Sequence, residues 1–220
     1  MQSIMPLGDQ AALAYFADEA GALHFAAVVR GENPAWLVDV VQAYASVAVF
    51  FDLDHSSYAE VAATMRRLDE RRGEPTKSPE IRLLHIPCCY ELQLDLARVA
   101  EHAGLTVEEI IRLHASIEYT VYAIGFCPGF PYLGYLPPPL CGVPRLDQPR
   151  VRVAAGSVGL TGKQTGIYTE ERPGGWNIVG RTPLELVNVA EGYFPLRVGD
   201  RVKFERIDES EYQRRQGSRL

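Results

Sequence analysis

Lys163, Gln164 and Thr165 stand together in a glycine-rich run, residues 156–168. Glycines at this spacing expose backbone N–H groups, and the three side chains add ammonium, amide and hydroxyl donors beside them. Such a set of donors suits a ligand that carries or develops negative charge. The same glycines are also typical of turns between the strands of a barrel, so both interpretations stay open.

This run does not follow the Walker A pattern of nucleotide-binding loops. A Walker A loop has four residues between its first glycine and the Gly-Lys pair, and Ser or Thr after the lysine. Here five residues separate Gly156 from Gly162, and Gln164 follows Lys163. The run also lies among predicted strands and does not open a helix.

A second run, residues 125–137, mixes aromatic side chains with glycines and prolines. Its aromatic members are Phe126, Phe130, Tyr132 and Tyr135, and Pro128 lies among them. Glycine and proline set the backbone here and prevent a regular helix or strand. The rings either plug one end of a barrel or form a wall of a binding cleft or subunit interface, where aromatic side chains supply contact area at low entropic cost.

Trp176 and Arg181 belong to a third run, residues 173–183. Arg181 comes directly after a mostly apolar predicted strand and beside Gly180. A guanidinium at a strand end can hold a carboxylate or phosphate through its planar set of donors. It can equally form an ion pair with a nearby acidic side chain, of the kind common on protein surfaces.

The sequence contains no complete catalytic set of another kind. Neither a nucleophile elbow nor a dinucleotide-binding turn occurs, and the histidines have no close pair with metal-ligand spacing. The five histidines are His24, His55, His85, His102 and His114. No metal-ligand set is therefore visible.

Length and composition are those of an ordinary globular protein. The 220 residues, 47% hydrophobic and 23% charged, allow one large domain or two small ones. The net charge of −6 argues against a nucleic-acid partner. No secretory signal or membrane-spanning apolar stretch is visible. The cysteines form neither a CxxC pair nor a disulfide framework, so we expect reduced thiols and a cytoplasmic location; they are Cys88, Cys89, Cys127 and Cys141.

The elements that must position these runs begin with a predicted α+β domain over residues 1–77. Residues 47–51 are a buried-strand candidate, and the apolar spacing after Pro34 predicts a helix through Val41. Ser57 and Glu60 form a predicted capping box, followed by a helix with one apolar stripe. Residues 81–86 are predicted to form another strand. We expect helices on one face of a sheet.

A break at Gly73–Pro79 is the predicted linker to a second domain, residues 78–208. One helix is expected from about residue 95 to 103, stopping at Gly104, and a second from Thr106 to about His114. Short strands separated by glycine and proline then continue to residue 207, which favours a closed or nearly closed barrel; the clearest are residues 119–124, 151–153, 176–179 and 201–204. Residues 209–220 are expected to be a frayed polar tail.

The three runs, in this order, resemble the family formed by the B subunits of bacterial 5-oxoprolinase, also known as KipI and allophanate hydrolase subunit 1. The resemblance spans nearly the whole chain and is specific in its second part. Its carriers are residues 118–119 and 125–126, Pro128–Gly134, Pro149–Arg150, Ala155–Gly159, Gln164–Tyr168, Pro173–Trp176, Gly180–Pro183 and Gly199–Val202. The sequence departs from the family pattern at Ala154, Lys163 and Thr169, and in a shorter loop after Tyr90.

The resemblance implies an α+β fold: a small N-terminal α/β sandwich domain followed by a cyclophilin-like β-barrel, as in the carboxyltransferase domains of urea carboxylase. It implies a subunit, inactive alone, that works with subunits C and A to hydrolyse 5-oxo-L-proline to L-glutamate using ATP, whose site can lie mainly on the partners. The family leaves two alternatives: an inhibitor that binds a sensor histidine kinase, and a component of an allophanate- or urea-degrading complex. Allophanate hydrolysis has no support from a Ser-Ser-Lys arrangement in this sequence.

Opening a stable lactam needs cationic and neutral donors around a developing charge more than it needs a nucleophile. On that basis the matched motifs imply Gln164, Arg181 and Arg150 as catalytic residues. The expected substrate-binding or interface residues are Thr165, Phe126, Pro128, Phe130, Tyr132, Tyr168, Trp176 and Lys163.

Overall fold

The computed structural model describes residues 1–70 and 81–220. The chain divides into two compact units, Met1–Glu80 and Ile81–Leu220. The predicted linker Gly73–Pro79 and the expected domain boundary at residues 77 and 78 lie outside the described residues. Among the described residues, no helix has both the length and the apolar character needed to cross a membrane.

The first unit is a four-stranded sheet with two helices. Its elements are β1 (Ser3–Pro6), β2 (Ala11–Tyr15), α1 (Glu19–Glu32), β3 (Leu37–Ala43), β4 (Ser46–Phe51) and α2 (Tyr58–Glu70). The strands are antiparallel in the order β1-β2-β4-β3. Side chains from both helices and from alternate strand positions form one buried cluster, including Phe25, Val29, Val49, Met65 and Leu68. Both helices therefore cover one face of the sheet, as predicted.

Residues 37–43 correct the prediction of a helix after Pro34. They form β3, which pairs along its length with β4. Pro34 instead follows Asn33, which ends α1 in the left-handed conformation, and proline is common just after such a cap. The β-branched Val40 and Val41 fit a strand, and both pair with residues of β4. The predicted capping box of α2 is present: the Ser57 N–H donates to Glu60 over 2.9 Å.

The second unit is a closed seven-stranded barrel with added helices. Its elements are β5 (Leu83–Cys89), α3 (Leu96–Ala103), α4 (Val107–Ser116), β6 (Glu118–Ile124), β7 (Pro131–Gly134), β8 (Arg150–Val153), β9 (Ser157–Thr161), β10 (Gln164–Ile167), β11 (Arg172–Gly174), β12 (Asn177–Arg181), β13 (Arg201–Ile207) and α5 (Glu209–Arg215). The barrel order is β10-β7-β6-β13-β5-β12-β9, and β8 and β11 form a separate ribbon. The predicted α+β class and barrel are confirmed, but part of the aromatic run, Pro131–Gly134, forms the barrel strand β7 where no regular strand was expected.

Alternate residues of the barrel strands point into one core. Val121, Leu133, Val158, Leu160 and Ile167 all belong to it and are fully buried. The two predicted helices against this core have the predicted ends. Gly104 caps α3 in the left-handed conformation, and α4 begins with the Thr106–Glu109 capping box.

The C-terminal segment differs from the expected frayed tail. Asp208 caps α5 by accepting a hydrogen bond from the Glu211 N–H, and Tyr212 on that helix is buried with Cys89 and Ile207. Beyond the helix, Arg219 forms ion pairs with Glu185 and Glu191 at 2.7 Å. A cap and one buried aromatic ring thus order a segment whose composition is polar.

Candidate functional site

A cavity of about 270 Å³ lies outside the barrel, between its outer wall and the β8–β11 ribbon. Most of the lining residues are aromatic, proline or glycine, and one has a charged side chain. The lining residues are Phe126, Phe130, Tyr132, Arg145, Pro149, Tyr168, Pro173, Gly174, Gly175 and Trp176. The aromatic run and the Trp176 run singled out in the sequence therefore meet at one place.

Two glycines on neighbouring strands make room for the aromatic rings. Gly159 on β9 and Gly166 on β10 are register partners. Their neighbours along both strands point into the barrel core, so the two glycines face outward. A Cβ at Gly166 would lie 2.9 Å from Cζ of Phe130, and one at Gly159 would lie 3.1 Å from Cβ of Trp176. Phe130 and Trp176 can therefore pack here only because these two positions have no side chain.

Phe130 is the centre of the aromatic cluster and is 1% exposed. Its ring meets those of Tyr132, Tyr168 and Trp176 at centroid distances of 5.0, 5.3 and 5.6 Å, all with steeply inclined planes. Such edge-to-face contacts are favourable for aromatic rings. The cluster is therefore a rigid wall, consistent with the expectation that these rings shape a binding surface.

Phe126 forms the rim of the cavity and is 59% exposed. Its backbone φ of 69° places it in the left-handed region, which is uncommon for a residue with a side chain. The loop around it is held by a hydrogen bond from the Thr169 hydroxyl to the Pro128 carbonyl, 2.6 Å long. Pro128 does not line the cavity but anchors the loop that carries Phe126.

The ionisable groups of the cavity are two phenols and one guanidinium. Burial is the main factor that raises the pKa of both Tyr132 and Tyr168, so both phenols are neutral near pH 7. The Arg145 charge acts in the opposite direction on the pKa of both, which places its guanidinium near the two rings. Arg145, Pro149 and Gly175 were not among the predicted site residues. Their signal in the sequence was the concentration of proline and glycine around residues 144–149 and 173–175.

Gln164 is the predicted donor that comes nearest to this cavity. It begins β10 and faces outward, two residues before Gly166, a separation of about 7 Å along the strand. It does not line the cavity itself. Lys163 lies in the preceding turn with an exposed side chain, and its carbonyl accepts a hydrogen bond from the Leu136 N–H.

The structure does not bring Gln164 and Arg181 together. Gln164 pairs with Thr161 and Arg181 pairs with Ser157, at opposite ends of β9. Those ends are about 13 Å apart. Arg181 donates from Nε to the Ala155 carbonyl over 2.9 Å, and none of the described residues forms an ion pair with it. The ion-pair interpretation of Arg181 therefore has no partner in the described part of the chain.

Arg150 has a structural partner in the described part of the chain, and its expected catalytic role stays a prediction. Its two terminal nitrogens bind both carboxylate oxygens of Asp95, at 2.7 and 2.9 Å. Asp95 is 6% exposed and also accepts a hydrogen bond from the Ile178 N–H at 2.7 Å. The pair joins the ribbon to the start of α3 and to β12, so both terminal nitrogens of Arg150 already donate to a buried carboxylate.

Thr165 is also placed inside the barrel, apart from the cavity lining. Its hydroxyl donates to the Gly159 carbonyl over 2.9 Å, so its oxygen accepts from Nε2 of His114, also at 2.9 Å. Nδ1 of His114 then accepts from the Tyr90 hydroxyl at 2.8 Å. Burial lowers the pKa of His114 to about 3, so the imidazole is neutral at physiological pH. This network gives the Thr165 hydroxyl two partners inside the barrel, and its expected role in substrate binding stays a prediction.

The described residues contain no group of three or more His, Cys, Asp or Glu side chains that could hold a metal ion. The cavity is likewise poorly suited to a nucleotide triphosphate. It offers one guanidinium and no phosphate loop, and the lining residues of the described structure include no ammonium group.

The chain matches a known family over most of its length. The family model described as "Carboxyltransferase domain, subdomain C and D" matches residues 2–194. A curated protein of Bacillus subtilis (strain 168), named as the B subunit of 5-oxoprolinase, is 38% identical over 227 residues, which cover 95% of this chain and 94% of that protein.

Two solved structures have the same fold. The crystal structure of TTHA0988 matches with a TM-score of 0.77 and 34% identity, covering 90% of this chain and 40% of that one. This chain thus spans well under half of TTHA0988. Kluyveromyces lactis urea carboxylase matches with a TM-score of 0.74 and 17% identity, over 96% of this chain and 22% of that one. At this identity the match shows the fold alone. From the family model and the 38% identity together, this chain belongs to the carboxyltransferase subdomain C and D family, in the group of the 5-oxoprolinase B subunits.

Proposed function

We propose that this chain is the B subunit of an ATP-dependent complex that hydrolyses 5-oxo-L-proline to L-glutamate, acting with subunits C and A. The proposal rests on the 38% identity, over 95% of the chain, with a protein named as the B subunit of 5-oxoprolinase. The chemistry of the cavity is consistent with it and supports a binding role for this chain.

The cavity supports a binding role without a complete hydrolytic site. Opening a lactam by water needs a group that takes a proton from the water and another that gives one to the leaving nitrogen. None of the lining residues in the described structure is a carboxylate, an imidazole or a thiol. The phenols of Tyr132 and Tyr168 are neutral, because burial raises the pKa of each. In this proposal the partner subunits supply the proton-transfer groups, so the isolated chain is inactive.

In this proposal the partner subunits also bind ATP, for a similar reason. A triphosphate requires several cationic groups or a backbone phosphate loop, and the cavity supplies one guanidinium. No step of ATP chemistry is therefore assigned to the residues of this chain.

The test is reconstitution of the complex from separately purified full-length subunits. We expect glutamate and ADP to form from 5-oxo-L-proline and ATP only when subunits A, B and C are all present. Turnover by this chain alone, or full turnover when this chain is omitted, would contradict the proposal.

A pair of surface variants ties the activity to the cavity. Phe126→Ala removes the exposed ring at the rim, whereas Val151→Ala removes a side chain that is 81% exposed on the neighbouring ribbon. We expect the first to lower kcat/KM at least fivefold and the second to leave it within twofold. Equal effects from the two variants would separate the activity from this cavity.

A further inference from the structure

Arg145 is a charged group that the fold does not use. It lines the aromatic cavity, its residue is exposed, and none of the described residues gives its guanidinium a hydrogen bond or an ion pair. Other arginines of the same unit are held by carboxylates: Arg82 by Asp200, and Arg206 by Glu108. An unpaired guanidinium at the mouth of an aromatic cavity is free to bind an anion from solution.

The other lining residues indicate which chemical groups the rest of the ligand should have. Phe126 offers an exposed ring at the rim, and Trp176, Pro149 and Pro173 also line the cavity. Such walls favour a flat, compact, largely apolar body. The phenol of Tyr132 adds a neutral group that can both donate and accept a hydrogen bond, which suits the N–H and C=O of an amide.

We propose that this cavity binds a small cyclic carboxylate, with Arg145 holding the carboxylate and the aromatic cluster holding the ring. The inference rests on the proposed function, because 5-oxo-L-proline is a five-membered lactam that carries one carboxylate. It assigns substrate recognition to this chain and names Arg145 as the residue that requires the negative charge.

The charge pattern favours a small anion over a peptide or a nucleotide. The cavity lining in the described structure has one positive and no negative side chain, which matches a single carboxylate. Its volume of about 270 Å³ is slightly below the usual range of ligand sites, about 300–1,000 Å³, which favours a small ligand. A proline-containing peptide without a free carboxylate would lack the charge pair with Arg145, so its binding is a separate outcome that the experiment can detect.

The first experiment measures binding to the isolated full-length chain. The sequence has two tryptophans, Trp36 and Trp176, so the two indole N–H signals of ¹⁵N-tryptophan-labelled protein are assigned with a Trp36→Phe variant. We expect 5-oxo-L-proline to shift the Trp176 signal and leave the Trp36 signal in place. Its uncharged carboxamide, which has the same ring, should bind at least tenfold more weakly.

Arg145→Gln should abolish the difference between the acid and the carboxamide, because the variant has no charge to distinguish them. The matched control is Arg152→Gln, which removes an arginine from the neighbouring β8 whose side chain is 79% exposed and pairs with Glu171 only at 3.5 Å. It should preserve the preference. The proposal is overturned if 5-oxo-L-proline leaves the Trp176 signal unchanged, if the acid and its amide bind wild-type protein equally, or if only a proline-containing peptide shifts that signal.

The second experiment separates this inference from the proposed function. In the reconstituted three-subunit complex, Arg145→Gln should raise the KM for 5-oxo-L-proline at least tenfold and change kcat little, as expected for a contact made equally in the ground and transition states. Turnover with an unchanged KM would overturn the role of Arg145 and leave the proposed function standing. Charge-selective binding by the chain, with no turnover by the complex, would overturn the proposed function and leave the binding site standing.

Discussion

Gly159 and Gly166 lie directly opposite each other on β9 and β10, and neither has a side chain on the outer face of the barrel. The rings of Phe130 and Trp176 occupy the space that two Cβ atoms would otherwise need. The glycine-rich run singled out in the sequence therefore contributes here mainly through the absence of side chains, which leaves room for the aromatic wall of the cavity.

Gly166→Ala tests this role of the glycine pair. The added Cβ would lie 2.9 Å from both the Phe130 ring and the Pro131 carbonyl oxygen, and neither atom is the end of a flexible chain. We expect the free energy of unfolding to fall by about 1–3 kcal/mol, as for other overpacked sites. Urea unfolding measures this. Gly125→Ala is the control, because a Cβ there meets nothing within 4 Å; equal losses in both variants would contradict the explanation.

Arg150→Met tests the assignment of Arg150 to structure. The substitution leaves the Asp95 carboxylate, 6% exposed, without its bidentate partner. We expect a loss of about 3 kcal/mol in the free energy of unfolding, the lower end of the range for broken buried pairs, because Arg150 itself is partly exposed. Arg152→Met should change stability by less than about 0.5 kcal/mol. A stable Arg150→Met protein with impaired turnover would support the expected catalytic role of Arg150 and contradict a purely structural one.

The buried imidazole of His114 predicts a pH dependence of stability. Burial lowers its pKa to about 3 in the folded protein, whereas an unfolded histidine titrates near pH 6.5. The unfolded chain therefore binds a proton that the folded chain does not, so this contribution is complete above pH 6.5 and is lost as the pH falls toward 3. The loss approaches about 1.4 kcal/mol per pH unit.

His114→Gln isolates this contribution, because glutamine can still donate and accept a hydrogen bond but does not titrate. We expect the difference in unfolding free energy between wild type and variant to shrink as the pH is lowered from 6.5 to 4.5. A constant difference between wild type and His114→Gln across this range would show that the imidazole is not held neutral.

The separation of Gln164 and Arg181 predicts that their contributions to turnover are independent. They pair with opposite ends of β9, about 13 Å apart, and sites at such distances usually have additive effects. In the reconstituted complex, the losses in activation free energy for Gln164→Ala and Arg181→Ala should sum to that of the double variant within about 0.5 kcal/mol. A coupling clearly larger than this would mean that both residues act on one group.

Arg219 predicts a local change in dynamics. It pairs with Glu185 and Glu191 and lies 4.6 Å from the Tyr193 ring centroid, and the Glu185 N–H donates to the Ser218 carbonyl. Arg219→Ala should speed hydrogen exchange at the Glu185 amide without moving the global unfolding midpoint. High salt should reduce the difference between variant and wild type, because the ion pairs are exposed. Arg214→Ala is the control, and equal exchange rates in all three proteins would contradict the role of Arg219.

Local chemistry determined much of this fold from the sequence. The caps at Thr106 and Gly104 depend on residues within one helical turn, and both are where the pattern predicts them. The dense alternation of short strands with glycine and proline was enough to predict the barrel. The prediction of a helix after Pro34 was wrong. The apolar residues of this segment fit the spacing of a strand as well as that of a helix, and pairing with β4 favours the strand.

Only the tertiary structure decided which side chains meet in the cavity. The partner of Arg150 is 55 residues away in the chain, and the separation of Gln164 from Arg181 follows from the register of three strands. Arg145 joins the aromatic rings because its neighbours are held by distant partners: Val143 forms a bridge with Gly162, and the Leu146 N–H donates to the Gly175 carbonyl. Sequence motifs show which hydrogen-bond donors the chain has. Contacts between residues far apart in the chain determine which of these donors have partners within the fold and which remain available to a ligand.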